Sequence, residues 1–265
     1  TFSLKAQIID FPDQSFKDYL IGIGIDTNED GEIQESEALN VTSLDLSDNS
    51  YLDIRGIEYF ENLTYLDCAG TFALEVDFSN LTRLTYFNCA SSWAEYLDVS
   101  NLTRLEYLNC SGNEMGRLNI SNLRNLTHFI CYNCELNELN LSKATELEYL
   151  DIEYNRLFNI NLKNLSKLEY LNCSDNYLKE LDVSSLKELR YLNISYSELE
   201  NFDISSLNNL DSFVYNGTDL KKLDIANSPI SFLDISNSRF LEFLSLKNLN
   251  NLEKIKGNEC PKLKY

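Results

Sequence analysis

A repeat solenoid of the α/β type, with short parallel strands stacked along one face and a small helical cap at the amino end, is the fold class this sequence predicts. Three observations predict it. Leu66, Phe87, Leu108, Phe129, Leu150, Leu171, Leu192 and Phe213 follow one another in steps of 21 residues. A second apolar series, Val76, Leu97, Leu118, Leu139, Ile160, Leu181, Phe202, Leu223 and Leu244, keeps the same step. Five cysteines, Cys68, Cys89, Cys110, Cys131 and Cys173, sit two places after members of the first series. A fixed period of this length marks stacked units, each too small to bury its apolar face alone.

One full unit, residues 105 to 125, reads LEYLNCSGNEMGRLNISNLRN. Its pattern, L-x-x-L-x-C-x-x-N-x-M, resembles the leucine-rich repeat over about residues 41 to 260, roughly ten units. The short cysteine-bearing unit with LDVS is similar to repeats of bacterial cell-surface proteins, notably internalin J-like and Bacteroidetes proteins. The resemblance implies a curved parallel sheet on the concave face and a mostly irregular or short extended convex side. The first unit departs from the period, with a 22-residue step from Leu44 to Leu66, and later units slip by a residue at Leu233 and Ile255. Residues 1–40 read as the cap and 41–265 as the solenoid.

In an extended segment, alternate side chains face opposite sides. Leu108 and Cys110 therefore point inward, while Tyr107, Asn109 and Ser111 point outward. The five cysteines fill a slot that holds Ile152 and Ile194 in other units. A slot that accepts isoleucine is apolar, and free cysteine behaves as a small hydrophobe. Cys134 and Cys260 fall instead on the turn position held by Asn49, Asn113, Asn155 and Asn176, and by Thr71, Ser92, Ser197 and Thr218. All seven cysteines thus have structural addresses as buried free thiols. The stretch HFICYNC offers His128, Cys131 and Cys134 at the spacing of a zinc half-site. The register assigns His128 to the outward face, Cys131 to the core and Cys134 to the turn, so the three are not expected to converge. His128 is the single histidine of the chain. That weakens any nucleophile–histidine scheme, and the chain reads as a non-enzyme.

The amino end carries a second signal, IDTNEDGEIQESEA at residues 25 to 38. With Asp26 at position 1, it matches the EF-hand calcium loop at every constrained position. Asp26, Asn28 and Asp30 supply short side-chain oxygens from alternate positions, and Gly31 permits the sharp turn. Glu32 offers its backbone carbonyl, Gln34 holds a water, and Glu37 closes the shell with two oxygens. Phe16, Tyr19, Leu20 and Ile23 recur at helical spacing ahead of the loop. The expectation is one structural Ca2+ that orders the cap, not a sensor, because no second loop of this kind is present to pair with it.

The formal charge is −20, from 42 acidic and 22 basic residues. Nucleic acid and anionic membrane surfaces both favour a basic face and are poor candidate partners on that ground; no nucleic-acid partner is expected. No apolar run reaches the roughly 20 residues of a membrane span. Residues 1–7, TFSLKAQ, read as the tail of an export leader. With the likeness to surface repeats, this implies an exported bacterial protein, secreted or at the cell surface and monomeric, of adhesion or virulence type. Sequons such as Asn62-Leu-Thr, Asn80-Leu-Thr and Asn101-Leu-Thr recur with the repeat and are products of it. At the carboxyl end, Lys254 and Lys256 flank an edge strand, either in place of a cap or ahead of further chain.

The outward columns carry the partner reading. Tyr65, Tyr86, Tyr107, His128, Tyr149, Tyr170 and Tyr191 form one column at the 21-residue step, expected to stack ring on ring. The next two columns are mostly small or polar, and Ile130, Tyr132, Glu153, Tyr154, Tyr196 and Val214 interrupt them. Exposed apolar groups among polar neighbours resemble interface hot spots. A protein partner is therefore expected on the concave face near His128, Ile130, Tyr132, Tyr149, Tyr154, Tyr170 and Tyr196. A carbohydrate ligand and a non-binding spacer are the alternatives.

Overall fold

The computed structural model describes residues 7–264 apart from 48, 50, 51, 74 and 75. The stretch read as a leader tail lies outside these residues except for Gln7, and so does Tyr265. The cap contains two helices, α1 (Gln14–Gly22) and α2 (Glu35–Ala38). Helix α1 starts where the Asp13 carboxylate accepts the Ser15 N–H at 2.8 Å, a side-chain N-cap. It buries Phe16 and Leu20 at the spacing read from the sequence.

Thirteen strands of three residues follow among the described residues. They are β1 (Ser43–Asp45), β2 (Tyr65–Asp67), β3 (Tyr86–Asn88), β4 (Tyr107–Asn109), β5 (His128–Ile130), β6 (Tyr149–Asp151), β7 (Tyr170–Asn172), β8 (Tyr191–Asn193), β9 (Ser212–Val214), β10 (Lys222–Asp224), β11 (Phe232–Asp234), β12 (Phe243–Ser245) and β13 (Lys254–Lys256). Eleven of them make one parallel sheet in the order β1 to β9, then β11 and β13. The register runs Leu44 to Leu66, Leu66 to Phe87 and onward, and near the end Phe213 to Leu233 and Leu233 to Ile255. The 22-residue first step and the later slips are therefore real features of the stack. β10 and β12 pair separately through Leu223 and Leu244 of the second apolar series. Around them, what is irregular chain in earlier units becomes a small sheet of its own.

The strands are short for a local reason. Their last residue is usually Asp or Asn, and its side chain accepts the N–H two places on: Asp67 from Ala69, Asn88 from Ala90, Asn109 from Ser111, Asn172 from Ser174 and Asn193 from Ser195, at 3.0–3.3 Å. This Asx turn bends the chain off the sheet. A second column does the same at Asp77, Asp98, Asn119, Asn140, Asn161, Asp182 and Asp203, the polar residue of LDVS and its variants.

Behind each strand the turn position satisfies buried backbone groups. Asn155 donates to the carbonyls of Cys131 and Ile152 at 2.7 and 3.0 Å and accepts the N–H groups of Cys134 and Leu136 at 3.2 and 2.9 Å. Asn113 repeats the arrangement two joints earlier with Cys89, Cys110, Ser92 and Ala94. Thr71, Ser92 and Ser197 each close one such bond, to Cys68, Cys89 and Ile194. The sequon residues serve the same backbone, since Asn62 donates to Leu39 and Thr64 to Thr42.

The inward slot holds Cys68, Cys89, Cys110, Cys131, Ile152, Cys173 and Ile194, all fully buried, and then Tyr215, equally buried, whose hydroxyl donates to the Leu220 carbonyl at 3.3 Å. No disulfide joins the cysteines. The cap seats on the first unit through Tyr19, which donates to the Asp45 carbonyl at 3.0 Å, and Asp13, which accepts the Asp53 N–H at 3.1 Å. Phe11 lies over Gly56, where a Cβ would come within 2.6 Å of the ring.

Asn155→Ala tests the turn ladder. It strands the Cys131 carbonyl and the N–H groups of Cys134 and Leu136 in the core, while the Ile152 carbonyl keeps its bond from Asn176, and we expect a loss of about 3 kcal/mol in denaturant unfolding. A loss below about 1 kcal/mol would mean the ladder is dispensable.

Candidate functional site

The aromatic column lies on the sheet, and its rings stack. Centroids are 4.4 Å apart for Tyr65 and Tyr86, 4.3 Å for Tyr86 and Tyr107, 4.1 Å for Tyr149 and Tyr170, and 4.4 Å for Tyr170 and Tyr191. His128 bridges the two runs at 6.1 and 5.7 Å. The tyrosine–tyrosine separations fall just inside the strand spacing of about 4.8 Å, so within each run a ring covers the face of the next. Burial pushes the Tyr86 and Tyr170 hydroxyls well above the ordinary phenol range.

The seven residues named for partner binding divide into two groups. His128, Ile130, Tyr149 and Tyr170 belong to β5, β6 and β7 and are half-buried. Tyr132, Tyr154 and Tyr196 are exposed at 46, 63 and 50 % in the turns after the strands. The reason lies in a third column. Gly70, Ser91, Gly112, Asn133, Tyr154, Asp175, Tyr196 and Gly217, again 21 apart, all take the left-handed backbone conformation. At Tyr154 and Tyr196 this conformation throws a large ring to the edge of the sheet. Gly217 then leaves room for Tyr196, since a Cβ there would meet the ring at 2.5 Å.

Tyr154, Tyr177 and Tyr196 line a groove of about 510 Å³ together with Arg156, Asp175 and Glu198. Tyr177 was missed in the sequence because its place in the unit lies beyond the columns that form the sheet. Phe158, exposed, stacks on Tyr177 at 5.4 Å. Trp93 and Tyr96, exposed at 60 and 76 %, mark a similar edge nearer the amino end and were equally unread.

The loop from Asp26 to Glu37 closes on itself through its own acceptors. Asp26 accepts the N–H groups of Asp30 and Gly31, Asn28 that of Asp30, and Asp30 that of Glu32. Glu37 accepts those of Thr27 and Gln34 at 2.7 and 3.0 Å. Gly31 has φ +81°, as the sharp turn requires. Ile9 donates its N–H to the Ile33 carbonyl, and Glu35 to the Gln7 carbonyl, so the chain ahead of α1 pairs with the loop through one antiparallel bridge. The set is rich in hard oxygen donors suited to calcium. Its interior is bridged by the Gln34 amide, which accepts from Asn28 at 2.8 Å and donates to Asp30 at 3.1 Å. The Glu32 carboxylate turns away to pair with Lys17 at 2.6 Å, leaving its backbone carbonyl as the available donor.

The thiols require a correction. Cys131 and Cys134 do converge, and their third partner is Cys110, not His128: the three sulfurs lie within 4.8 Å of one another. A turn-position side chain reaches back across the joint toward the preceding unit, as Asn113 does to Cys89, and this brings Cys134 Sγ within 3.3 Å of the Cys110 carbonyl. Reading the register along one unit hid that contact.

Glu37 links the loop to pH. Burial raises its pKa, but the Gln34 N–H and the Thr27 hydroxyl and N–H outweigh burial and hold it below the ordinary value of 4.5. A depressed carboxylate contributes fully above that value and loses its contribution as pH falls through the folded one. Amide protection at Thr27 and Gln34 should therefore fall as pH drops below the ordinary carboxylate value while β4 to β8 stay protected. Simultaneous loss of both would refute the assignment.

A family model described as Leucine Rich Repeat matches residues 167–189. No curated protein matches the chain. Among solved structures, the functional domain of InlJ from Listeria monocytogenes, described as including a cysteine ladder, is 25 % identical with a TM-score of 0.62. The match covers 99 % of this chain and 64 % of that one, so the chain spans less than two thirds of its length. The Leptospira interrogans protein LIC12759 is 19 % identical with a TM-score of 0.71, over 88 % of this chain and 74 % of that one. The L. monocytogenes internalin InlF is 19 % identical with a TM-score of 0.50, over 100 and 98 %. The parallel ladder, the repeating turn and these likenesses together establish a leucine-rich-repeat fold of about ten turns.

Proposed function

We propose that the chain is a secreted or cell-surface binding module for a protein of a host or neighbouring cell, and that one calcium ion holds its cap. The exposed tyrosines Tyr154, Tyr177 and Tyr196, aligned along a groove on a rigid stack, carry the reading. Large amphipathic rings at fixed positions contribute contact area with little entropy to lose, and such residues dominate interfaces. The acidic groove residues and the charge of −20 favour a partner with a basic surface. A glycan on the sheet is less favoured. The ring faces there already cover one another, and strand-end groups such as Asn88 and Asn193 are engaged with Asp67 and Ser174.

Capture from host serum and matrix, run beside a glycan array, separates protein from sugar, and a spacer would be silent in both. Against a captured partner, Tyr154→Ala and Tyr196→Ala should each weaken binding about tenfold or more, mostly through faster dissociation. Unchanged affinity in both folded variants would move the site to the strand residues His128, Ile130, Tyr149 and Tyr170.

In the cap, Asp26, Asn28, Asp30 and Glu37 would hold calcium through side-chain oxygens and Glu32 through its carbonyl. The ion would supply a positive centre in place of the bridging Gln34 amide. At about a hundredfold excess over its dissociation constant, calcium should stabilise the cap by roughly 2.7 kcal/mol. Thermal unfolding with calcium and with chelator reads this out. No shift, together with no calcium on elemental analysis, would sink the clamp.

A further inference from the structure

The thiols of Cys110, Cys131 and Cys134 form a compact triangle in a core where cysteine otherwise only fills space. All three are fully buried, and their sulfurs lie within 4.8 Å of one another. The first two belong to the inward slot of adjacent units. Cys134 occupies the turn position, where Asn113, Asn155 and Asn176 stand in neighbouring units. Asparagine there serves the backbone fully, and cysteine only in part. Nor is the Cys134 thiol needed as a donor: the Cys110 carbonyl beside it already accepts from Asn113 at 2.9 Å, and the Cys131 carbonyl from Asn155 at 2.7 Å. The Cys134 proton can leave without orphaning a carbonyl.

We propose that this triangle binds a soft monovalent metal ion, Cu(I), through three sulfurs. Thiolate and thiol sulfur select soft ions. Zinc in a structural site takes four ligands, and among the described residues no fourth histidine, cysteine or carboxylate joins the three. Charge points the same way, because an uncompensated charge in a dry core is costly.

One Cu(I) in place of the Cys134 proton leaves no net charge. The displaced proton goes to solvent, and lone pairs of the other two sulfurs complete the shell. The metal keeps its oxidation state throughout. Entry is through the turn, where Cys134 lies between exposed Asn133 and half-buried Glu135, both in the left-handed conformation at φ 52° and 59°.

The repeat supplies substitutions that keep the fold. Cys134→Asn installs the side chain of the neighbouring turns, and Cys110→Ile or Cys131→Ile the side chain of the Ile152 and Ile194 slot. Cys173→Ile is the control outside the triangle. The full chain, reduced and anaerobic, is titrated with Cu(I) against a competing chelator, and the sulfur shell is counted by X-ray absorption. The expected result is one ion per chain with three sulfur neighbours, an affinity at least tenfold lower in Cys134→Asn, and no change in Cys173→Ile. Equal retention by wild type and Cys134→Asn, no retention by either, or a preference for Zn(II) under the same competition would overturn the proposal.

Discussion

Every unit of this solenoid must hide the backbone polar groups of a turn that follows a strand of only three residues. The rest of the molecule depends on that being done. Each buried N–H or C=O group left unpaired would cost about 1–3 kcal/mol, enough to offset the burial of a leucine. The asparagine at the turn position answers four of these groups at once and joins two units while doing so. Stacking is therefore a matter of polar satisfaction as much as of apolar burial. The 21-residue step is the distance along the chain between one such turn position and the next.

Once the joint is fixed, the columns follow. Inward residues fall on inward residues, so a slot of cysteines becomes a ladder, and outward tyrosines fall ring upon ring. The cap is fastened by similar means, with Asp13 and Tyr19 serving backbone of the first strand and the turn after it, and Phe11 filling the space above Gly56. At β13 the contacts are of another kind. Lys254 and Lys256 lie over the Phe232 ring at 6.0 and 5.5 Å, charge covering an aromatic face.

The repeat, its first long step and its later slips could be read because they are properties of spacing, and spacing survives folding unchanged. The tyrosine stack and the serine and threonine stand-ins at the turn were legible for the same reason. Three features were not. Tyr215 occupies the cysteine slot because the register there admits a large ring with a carbonyl in reach, a matter of local volume. Tyr154 and Tyr196 leave the sheet because of a backbone conformation that no single residue type announces. The meeting of Cys134 with Cys110 is a contact across a joint, and a pattern read along one unit does not contain it. The candidate sites draw on the second and third of these features, so less of them than of the fold could be read in advance.

The left-handed column has a consequence for change over time. Its backbone form is set by the joint, yet the position holds Gly, Ser, Asn, Asp and Tyr in different units. Side chains there contribute little to the ladder and stand at its outer margin. Such a column is a row of variable letters on an invariant ruler. Surface chemistry can be rewritten one unit at a time, and whole units gained or lost, while every joint stays the same.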